Sequence, residues 1–359
     1  MSLVLGIESS CDETAAAVVA DGWSVRSNVI ASQHELHRKY DGVVPEIASR
    51  AHIERILPVV DEALREGGAT LDDVEAVAVG HRPGLIGSLL VGVSAAKALA
   101  WAAGKPFVGI DHIQAHLHAA GMVKAADDAD RPRIEFPCVG LVVSGGHTSL
   151  FDVDGPMSIR LIGKTIDDAV GEAYDKAAVI LGAGYPGGPA VDRLAAQGDA
   201  AAHDLPKSTL GSSSLDFSFS GLKTALLYTV RGRPQGRGRG ARFERSADDL
   251  TDAARADLAA SFQAAAIGVL VLKLERALDA LAAGGRAPRG VIIGGGVSAN
   301  ALLRAEAIEL SDRRGVPVHV PPMPFCLDNA AMIAGLADVH LGARGGDGWD
   351  LPALATGER

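Results

Sequence analysis

Apolar residues in the first third of the chain occur in short runs and at helical spacing, separated by polar turns. Apolar runs at residues 3–7 and 15–20 flank a polar stretch at 8–14, which predicts two strands joined by a tight turn. Between residues 44 and 67 the apolar positions follow a helical period, namely Ile47, Ala51, Ile56, Val59, Val60 and Leu64. The pattern continues with a strand at 74–80, a helix at 84–102, a strand at 107–110 and a helix at 113–123.

A second cycle of the same kind begins near Phe136. A strand at 139–143, a small turn at 144–146 and a returning strand at 148–153 repeat the arrangement at the start of the chain. The later predicted elements are a helix at 168–181, a Gly/Pro-rich turn at 182–189, a long helix at 257–283, and a strand at 291–293 that leads into a helix capped by Ser298 or Asn300. Because the α/β pattern occurs twice, we expect two similar domains with a ligand cleft between them.

Composition and charge narrow the class of protein. Hydrophobic residues make up 48% of the 359 residues and aromatic residues only 4%, so we expect a core of small aliphatic side chains. The net charge of −10 argues against nucleic-acid binding over the whole surface. The one dense basic patch is the Arg/Gly-rich stretch 231–245, which reads as a surface loop.

Cysteine usage and hydropathy predict a cytoplasmic protein. Cys11, Cys138 and Cys326 are few and widely spaced, which favours a reducing compartment over a disulfide framework. The N-terminal apolar run is too short for a signal peptide, and we expect no segment to approach the roughly 20 apolar residues that cross a bilayer.

The segment 111–116 contains two histidines four residues apart. That spacing puts His112 and His116 on one face of a helix, where two imidazoles can share a first-row metal ion. A carboxylate would complete a two-histidine, one-carboxylate set, and Asp328, in a turn after a Pro-rich loop, is the candidate. A pair of helix-surface histidines is the alternative. Proteolysis is disfavoured because Ile113 stands where zinc proteases carry their glutamate base.

Three Gly-rich turns, at 143–148, 185–189 and 294–300, adjoin apolar strands. Glycine permits close backbone approach, so that successive N–H groups can face an anion. Each turn alone is ordinary, but three of them together with the Ser9-Ser10 turn predict nucleotide binding. The sequence has neither a Walker loop nor a GxGxxG motif, which excludes the two commonest phosphate-binding sequences.

Carboxylates gather near these turns. They are Glu8, Asp12 and Glu13 in the first turn, Asp167, Asp168, Glu172 and Asp175 on or before one helix, and Asp192 after the Gly-Gly-Pro turn. The spacing predicts that Asp168, Glu172 and Asp175 share a helix face, where they would bind a ribose, a cation or an amide. A solvated acidic face is the plainer alternative.

Several long strings carry a resemblance to a known family. In chain order they are GIESSCDET (6–14), GVVPEIASR (42–50), PGLIG (83–87), HIQAH (112–116), VSGGHT (143–148), YPGGP (185–189), DFSFSGLKT (216–224), GGVSAN (295–300) and Asp328-Asn329. Together, from about residue 4 to about residue 340, the chain resembles the bacterial tRNA N6-adenosine threonylcarbamoyltransferase family.

The resemblance implies a fold and a division into domains. The fold would be α/β and actin-like, of the sugar-kinase and heat-shock ATPase type, with duplicated domains around a central ligand cleft. We expect the first domain at 1–110 plus about 325–359, and the second at 111–324 with the Arg/Gly-rich loop 231–245 inside it.

The resemblance also implies the chemistry. The threonylcarbamoyl group of threonylcarbamoyl-adenylate would be transferred to N6 of adenosine 37 in tRNAs that read codons beginning with A. One divalent metal ion per subunit, Fe²⁺ with Zn²⁺ as the alternative, would be held by His112, His116 and Asp328. The positions that match adenylate-binding residues are Val142, Val143, Ser144, Gly145, Gly146, Asp175, Gly188, Asp192 and Asn300. Asp12 and Glu13 match acidic residues near the reacting group and are candidate proton acceptors for the amine.

Family members act with partners, so the resemblance implies tRNA, an inactive paralogue that forms a heterodimer, and a small ATPase subunit. We expect the helix from Ile47 to Leu64 to offer the paralogue an apolar face, and no membrane to be involved. Loop 231–245 is either a contact for tRNA phosphates or a tolerated insertion. His81 and Arg82 depart from the small residues usual in the family. A small-molecule kinase of the same fold, or a non-catalytic scaffold, is the alternative function.

Overall fold

The chain forms two compact units, and the computed structural model describes residues 1–40, 42–125, 133–236 and 243–356. The first unit comprises Met1–Glu135, Val153–Ile159 and His319–Arg359, and the second comprises Phe136–Asp152 and Arg160–Val318.

A six-stranded sheet organises the first unit, with strand order β5-β4-β1-β2-β3-β6. Its strands are β1 (Leu3–Glu8), β2 (Glu13–Ala20), β3 (Ser24–Ser32), β4 (Ala76–Arg82), β5 (Phe107–Asp111) and β6 (Val123–Lys124). β1 and β2 are antiparallel, as the N-terminal pattern predicts, and β4 is parallel to both β1 and β5. β3 was not predicted, because its polar residues interrupt the apolar alternation.

Helices cover both faces of this sheet. They are α1 (His34–His37), α2 (Pro45–Glu66), α3 (Ile86–Ala103), α4 (His112–His118) and α10 (Ala330–Arg344). On one face, Leu5 and Ile7 share a buried cluster with residues of α2 and α3. On the other, Val4 and its neighbours pack with the small residues of α10. The predicted small-aliphatic core is therefore present.

Helix α4 packs on α10, so the segment that follows β5 belongs to the first unit. The structure consequently divides the chain after residue 135, whereas the sequence prediction placed the division after residue 110. The return to the first unit begins at residue 319, close to the predicted position near 325. The helix predicted at 113–123 ends at His118.

A five-stranded sheet, with strand order β11-β10-β7-β8-β9, organises the second half of the chain. Its strands are β7 (Cys138–Val143), β8 (Thr148–Gly155), β9 (Ser158–Lys164), β10 (Gly290–Gly294) and β11 (Val318–His319). The helices are α5 (Val170–Leu181), α6 (Gly187–Ala195), α7 (Ser220–Arg231), α8 (Asp252–Ala283) and α9 (Ala301–Arg314). The β7–turn–β8 arrangement repeats β1–turn–β2, as the sequence predicts.

Two helices of the described chain, α3 and α8, are long and apolar enough, by length and composition, to cross a bilayer. The expectation that no segment would approach that length and hydropathy is therefore wrong. The most apolar window of α8 is 78% buried inside the protein, as in the core helix of a globular domain. The corresponding window of α3 is only 33% buried, so part of its apolar surface is exposed.

Replacing Gly6 with Ala tests the packing of α10 on β1. A Cβ atom at Gly6 would lie 2.4 Å from the carbonyl oxygen of Ala330 and 2.8 Å from the amide nitrogen of Ala334, so helix and strand would have to separate. We expect Gly6→Ala to lower the free energy of unfolding by about 1–3 kcal/mol in chemical denaturation. Gly155→Ala is the control, because a Cβ atom at Gly155 meets no atom within 4 Å. Equal stability of the two variants would contradict the packing.

Candidate functional site

Both predicted histidine ligands lie on α4, His112 as its first residue and His116 in its last turn. The Asp111 carboxylate caps this helix by accepting hydrogen bonds from the amide nitrogens of Ile113 (2.9 Å) and Gln114 (3.2 Å). The imidazoles of His112 and His116 are buried, with ring centroids 4.6 Å apart and planes nearly perpendicular. The alternative of two solvated surface histidines is therefore wrong.

Asp328 joins these histidines from a distant part of the sequence. Its Oδ1 atom lies 3.1 Å from Nε2 of His116 and 3.5 Å from Nε2 of His112. The next residue, Asn329, caps α10 by accepting from the amide nitrogen of Met332 at 3.1 Å, and its own side-chain amide donates to the carbonyl of Leu327 at 2.7 Å. Asp328 is thus held between a fixed turn and a fixed helix end.

A second carboxylate orients His112. Nδ1 of His112 lies 3.0 Å from Oε2 of Glu8, and the other Glu8 oxygen accepts from the amide nitrogen of Ser10 at 2.5 Å. With Nδ1 of His112 occupied in this way, its Nε2 atom is available on the side of Asp328. Metal-binding histidines commonly make such a bond through their second ring nitrogen.

The donor set fits a divalent metal ion. One ligand atom from each of His112, His116 and Asp328 lies within 4.8 Å of the others. Two imidazoles and one carboxylate suit Fe²⁺ or Zn²⁺ and leave coordination positions for a substrate.

Opposite charges control the titration of this cluster. Burial by itself would lower the pKa of His112, but the carboxylates of Glu8 and Asp328 raise it well above its usual value. Burial and repulsion from His112 lower the pKa of His116. Burial would raise the pKa of Asp328, yet the two imidazoles hold it well below its ordinary value. Asp328 is therefore an anion near neutral pH, as a metal ligand must be.

The predicted acidic pair, Asp12 and Glu13, lies in the turn between β1 and β2. Both carboxylates are buried, and Oε1 of Glu13 is 3.2 Å from Nε2 of His34 and accepts from the Ser32 hydroxyl at 3.3 Å. The pKa of Glu13 is raised to about 7: burial is the largest cause, the hydrogen bond to His34 opposes it, and the Asp12 and Asp328 carboxylates add to it. A carboxyl that titrates near neutral pH is suited to proton transfer.

In the second unit, the predicted glycine turn follows the end of β7. Ser144 closes the turn, since its amide nitrogen donates to the carbonyl of His147 at 2.8 Å. Gly145 and Gly146 are exposed, and a Cβ atom on either would meet no atom within 4 Å. Gly295, with φ +91°, approaches this strand so closely that a Cβ atom there would lie 2.4 Å from the carbonyl oxygen of Val143.

The remaining predicted ligand-binding residues belong to the same unit and form hydrogen-bonded pairs. Oδ1 of Asp175 accepts from the amide nitrogen of Gly187, next to Gly188, at 3.0 Å. The Asn300 side-chain amide donates to Asp192 at 3.0 Å and to Gln263 at 2.9 Å. Gln263 was not predicted, because it lies within the long apolar pattern of α8.

Two carboxylates predicted to share a helix face with Asp175 are otherwise engaged. Asp168 precedes α5 and forms 2.7 Å ion pairs with Lys176 and Lys223. Glu172 also pairs with Lys176 at 2.7 Å. The sequence predicted a helix from residue 168, whereas α5 begins at Val170, because helical periodicity does not define the first turn of a helix.

His81 and Arg82 contact the end of the described chain and the cap of α4. Nδ1 of His81 lies 3.0 Å from the carbonyl oxygen of Pro352, and the amide nitrogen of Leu354 donates to the carbonyl of His81 at 2.9 Å. Arg82 forms a 3.3 Å ion pair with Asp111. The amide nitrogen of Asp347 donates to the carbonyl of Phe107 in β5 at 2.7 Å. Residues 345–356, here called the C-terminal strap, therefore lie against β4 and the edge strand β5.

Comparison with known families gives one consistent result. A family model described as tRNA N6-adenosine threonylcarbamoyltransferase matches residues 24–335. A protein of that name from Symbiobacterium thermophilum is 53% identical, over 92% of this chain and 89% of its own length. Another from Sorangium cellulosum is 49% identical, over 97% of this chain and 94% of its own length.

Solved structures of low sequence identity identify the fold. HypF from T. kodakarensis matches with a TM-score of 0.57 at 13% identity, over 95% of this chain and 48% of that one. Component A of the (R)-2-hydroxyglutaryl-CoA dehydratase of Acidaminococcus fermentans matches with a TM-score of 0.50 at 13% identity, over 95% of this chain and 100% of that one. The fold is the actin-like, sugar-kinase type that the sequence predicts.

Replacing Glu8 with Gln tests the orientation of His112. We expect Glu8→Gln to weaken metal binding about 10- to 100-fold, because an amide holds the imidazole less strongly than a carboxylate does. Titration calorimetry of the chelator-treated protein with Fe²⁺ under anaerobic conditions, or with Zn²⁺, measures this change. Glu62→Gln, at the exposed surface of α2, is the control. Unchanged affinity in Glu8→Gln would show that His112 needs no such partner.

Proposed function

The chain belongs to the tRNA N6-adenosine threonylcarbamoyltransferase family of acyltransferases, and on that premise we propose its substrates and mechanism. The threonylcarbamoyl group of threonylcarbamoyl-adenylate is transferred to N6 of adenosine 37 in tRNAs that read codons beginning with A. The observation that carries the proposal is the convergence of His112, His116 and Asp328 on one point in the same unit as the Asp12–Glu13 pair.

A bound divalent ion, Fe²⁺ in the proposal with Zn²⁺ as the alternative, would act as a Lewis acid that polarises the carbamoyl carbonyl. His112, His116 and Asp328 would hold it, and Glu8, which lies 3.0 Å from Nδ1 of His112, would leave Nε2 of that imidazole as the metal-binding nitrogen. The chain itself supplies what remains: it binds the leaving group, orients the donor and accepts a proton.

The adenylate is assigned to the second unit. Val142, Val143, Ser144, Gly145 and Gly146 present the end of β7 and its turn, where unhindered glycine amides suit a phosphate. Gly188 lies in the first turn of α6, and the Asp175 side chain reaches that turn from α5 by accepting from the amide nitrogen of Gly187. Asp192 offers a carboxylate that can accept from ribose hydroxyls, and Asn300 offers an amide that can bond to a ribose or to the edge of a base.

Asp12 and Glu13 are the proposed proton acceptors. The exocyclic N6 amine of adenine is a weak nucleophile that must lose a proton as the new N–C bond forms. Glu13 can take that proton, because burial raises the pKa of its carboxyl to about 7. The transfer rate should therefore rise with pH through about 7, as Glu13 becomes the carboxylate.

An inactive paralogue is the proposed partner of the α2–α3 surface. Ile53 (65% exposed) and Leu57 (59%) lie one turn apart on α2, and Ile86 (48%) and Leu90 (52%) lie one turn apart on α3. The two helices pack side by side, so these residues give the first unit an apolar surface of the kind found at the centre of interfaces. This extends the predicted interface from α2 to α3.

The other partners, tRNA and a small ATPase subunit, and a cytoplasmic location are likewise proposals. The predicted phosphate contact at 231–245 has its central residues, 237–242, outside the described part of the chain. Of the described arginines, Arg231 lies over the ring of Phe243 at 6.0 Å, and Arg245 donates to the carbonyl of Thr229 at 3.0 Å.

Transfer from synthetic threonylcarbamoyl-adenylate to unmodified tRNA tests the function, in the presence of the purified partner subunits. We expect the wild-type protein to form the modified nucleoside, His112→Ala to lose nearly all activity, and the Asp12→Asn/Glu13→Gln double variant to fall at least about 100-fold. Glu309→Gln, at an exposed position of α9, is the control. Phosphorylation of a small alcohol by ATP without tRNA modification would favour the kinase alternative, and neither activity would favour a scaffold.

Replacing Ile53 with Glu tests the partner surface. We expect Ile53→Glu to prevent heterodimer formation in analytical ultracentrifugation with the purified paralogue, because a charge would be buried in an apolar interface. The melting temperature should not change, since Ile53 is already exposed. Tyr228→Glu, at an exposed apolar position on α7, is the matched control. A heterodimer of undiminished affinity in Ile53→Glu would place the interface elsewhere.

A further inference from the structure

His34 contacts both carboxylates of the acidic pair, although neither the sequence pattern nor the proposed function assigns it a role. Its Nε2 atom lies 3.2 Å from Oε1 of Glu13 and 3.8 Å from Oδ2 of Asp12. The two carboxylate side chains are each only 10% exposed, whereas the His34 side chain is 38% exposed. His34 is therefore the member of this group that reaches solvent.

The backbone fixes His34 in this position. Opposite the start of β2, Ser32 ends β3 in register with Glu13, and the amide nitrogen of Gln33 donates to the carbonyl of Asp12 at 3.1 Å. The Ser32 hydroxyl contacts both partners, since it donates to Glu13 and accepts from the amide nitrogen of His34, each at 3.3 Å. The imidazole is thus held beside Glu13 by the same strand pairing that forms the sheet.

We propose that His34 is a positioning residue that acts through Glu13, by holding its carboxylate and passing the proton it collects to solvent. The inference rests on the proposed function, in which Glu13 accepts the N6 proton. Imidazole changes its charge between pH 5 and 8 and has two ring nitrogens, so it can accept at one and release at the other.

The proton path balances. N6 attacks the carbamoyl carbon, the N–C bond forms, and the bond from that carbon to the phosphate oxygen breaks with its electron pair leaving on AMP. The N6 proton passes to the Glu13 carboxylate. The resting His34 donates its Nε2 proton to that carboxylate, so it first exchanges with water to the neutral tautomer that carries the proton on Nδ1. Nε2 then accepts the Glu13 proton and the Nδ1 proton leaves to water, which returns Glu13 to the carboxylate and His34 to its starting tautomer.

Other charged groups around Glu13 set the sign of the pH effect. Asp12 in the same turn and Asp328 before α10 raise the pKa of Glu13, and the His34 hydrogen bond lowers it. From α2, His52 bonds Thr14 and the carbonyl of Cys11, and Arg55 donates to the carbonyl of Ser32. Removing the His34 imidazole should therefore raise the pKa of Glu13, because a hydrogen bond that favours its carboxylate is lost.

Single-turnover transfer by the complete complex tests the inference with His34→Ala and His34→Gln. We expect His34→Ala to slow transfer about tenfold at pH 7, below the 10²–10⁴-fold contribution of a direct acid–base residue, and to move the rising limb of the pH profile upwards. His34→Gln keeps a donor for Glu13, so its profile should move less. Added imidazole should accelerate His34→Ala and leave His34→Gln unchanged.

His203→Gln, which alters a partly exposed histidine of the second unit, is the matched control and should transfer at the wild-type rate without responding to imidazole. Thermal unfolding of each variant checks that it is folded. A wild-type rate in His34→Ala at every pH would overturn the inference. So would a slower rate with an unshifted profile and no imidazole response, since that is the result of a purely structural role.

A second measurement separates this inference from the proposed function. The ring signals of selectively ¹³C-labelled His34 can be titrated by NMR in the wild type and in Glu13→Gln without any substrate. We expect the midpoint for His34 to move in Glu13→Gln, because the two groups share a proton. An unmoved midpoint would overturn the inference even if the wild type transfers. A moved midpoint in a protein that fails to transfer would reject the proposed function and leave the proton sharing established.

Discussion

The close approach of α10 to β1 at Gly6 is the constraint on which the chemistry of the first unit depends. Asp328 directly precedes the capped start of α10, and Glu8 ends β1, so this single packing contact brings two carboxylates from distant parts of the sequence to one place. Helix α4 packs on α10 and supplies the two imidazoles between them. A side chain at Gly6 would contact Ala330 and Ala334 of α10 and none of the ligands, but by displacing α10 it would separate Asp328 from Glu8.

Buried charge is organised into two neighbouring groups, and each balances carboxylates with imidazoles. One contains Glu8, His112, His116 and Asp328, and the other contains Asp12, Glu13 and His34. Burying an ionised carboxylate without a partner is strongly unfavourable, so each group depends on its own imidazoles for stability as well as for chemistry. The two groups differ in outcome: the imidazoles hold the pKa of Asp328 low, whereas burial leaves that of Glu13 near neutrality.

The sequence predicted what depends on local order. The prediction that His112 and His116 share a helix face is confirmed in α4, because the helix is determined locally by the Asp111 cap and by the helical period. Asp328 was a candidate from its position in a turn, and only the resemblance to the family assigned it as the third ligand. Its contact with His116 spans 212 residues, and no periodicity in the sequence encodes such a contact. The role of His34 could not be predicted from the sequence. It follows β3, a strand that polar residues hid from the apolar pattern, and the carboxylates it contacts lie in the turn before another strand, β2, and at its start. The boundary near residue 110 was misplaced because the packing of α4 on α10 is a tertiary contact.

The C-terminal strap links a late part of the chain to the histidines. The amide nitrogen of Gly84 donates to the carbonyl of Ala355, and Gly84 packs against Ser10, whose hydroxyl lies 3.3 Å from Nδ1 of His112. A protease that cuts within residues 345–356 would therefore release a contact of the loop behind His112. The integrity of the strap thus bears on every measurement made at the histidines.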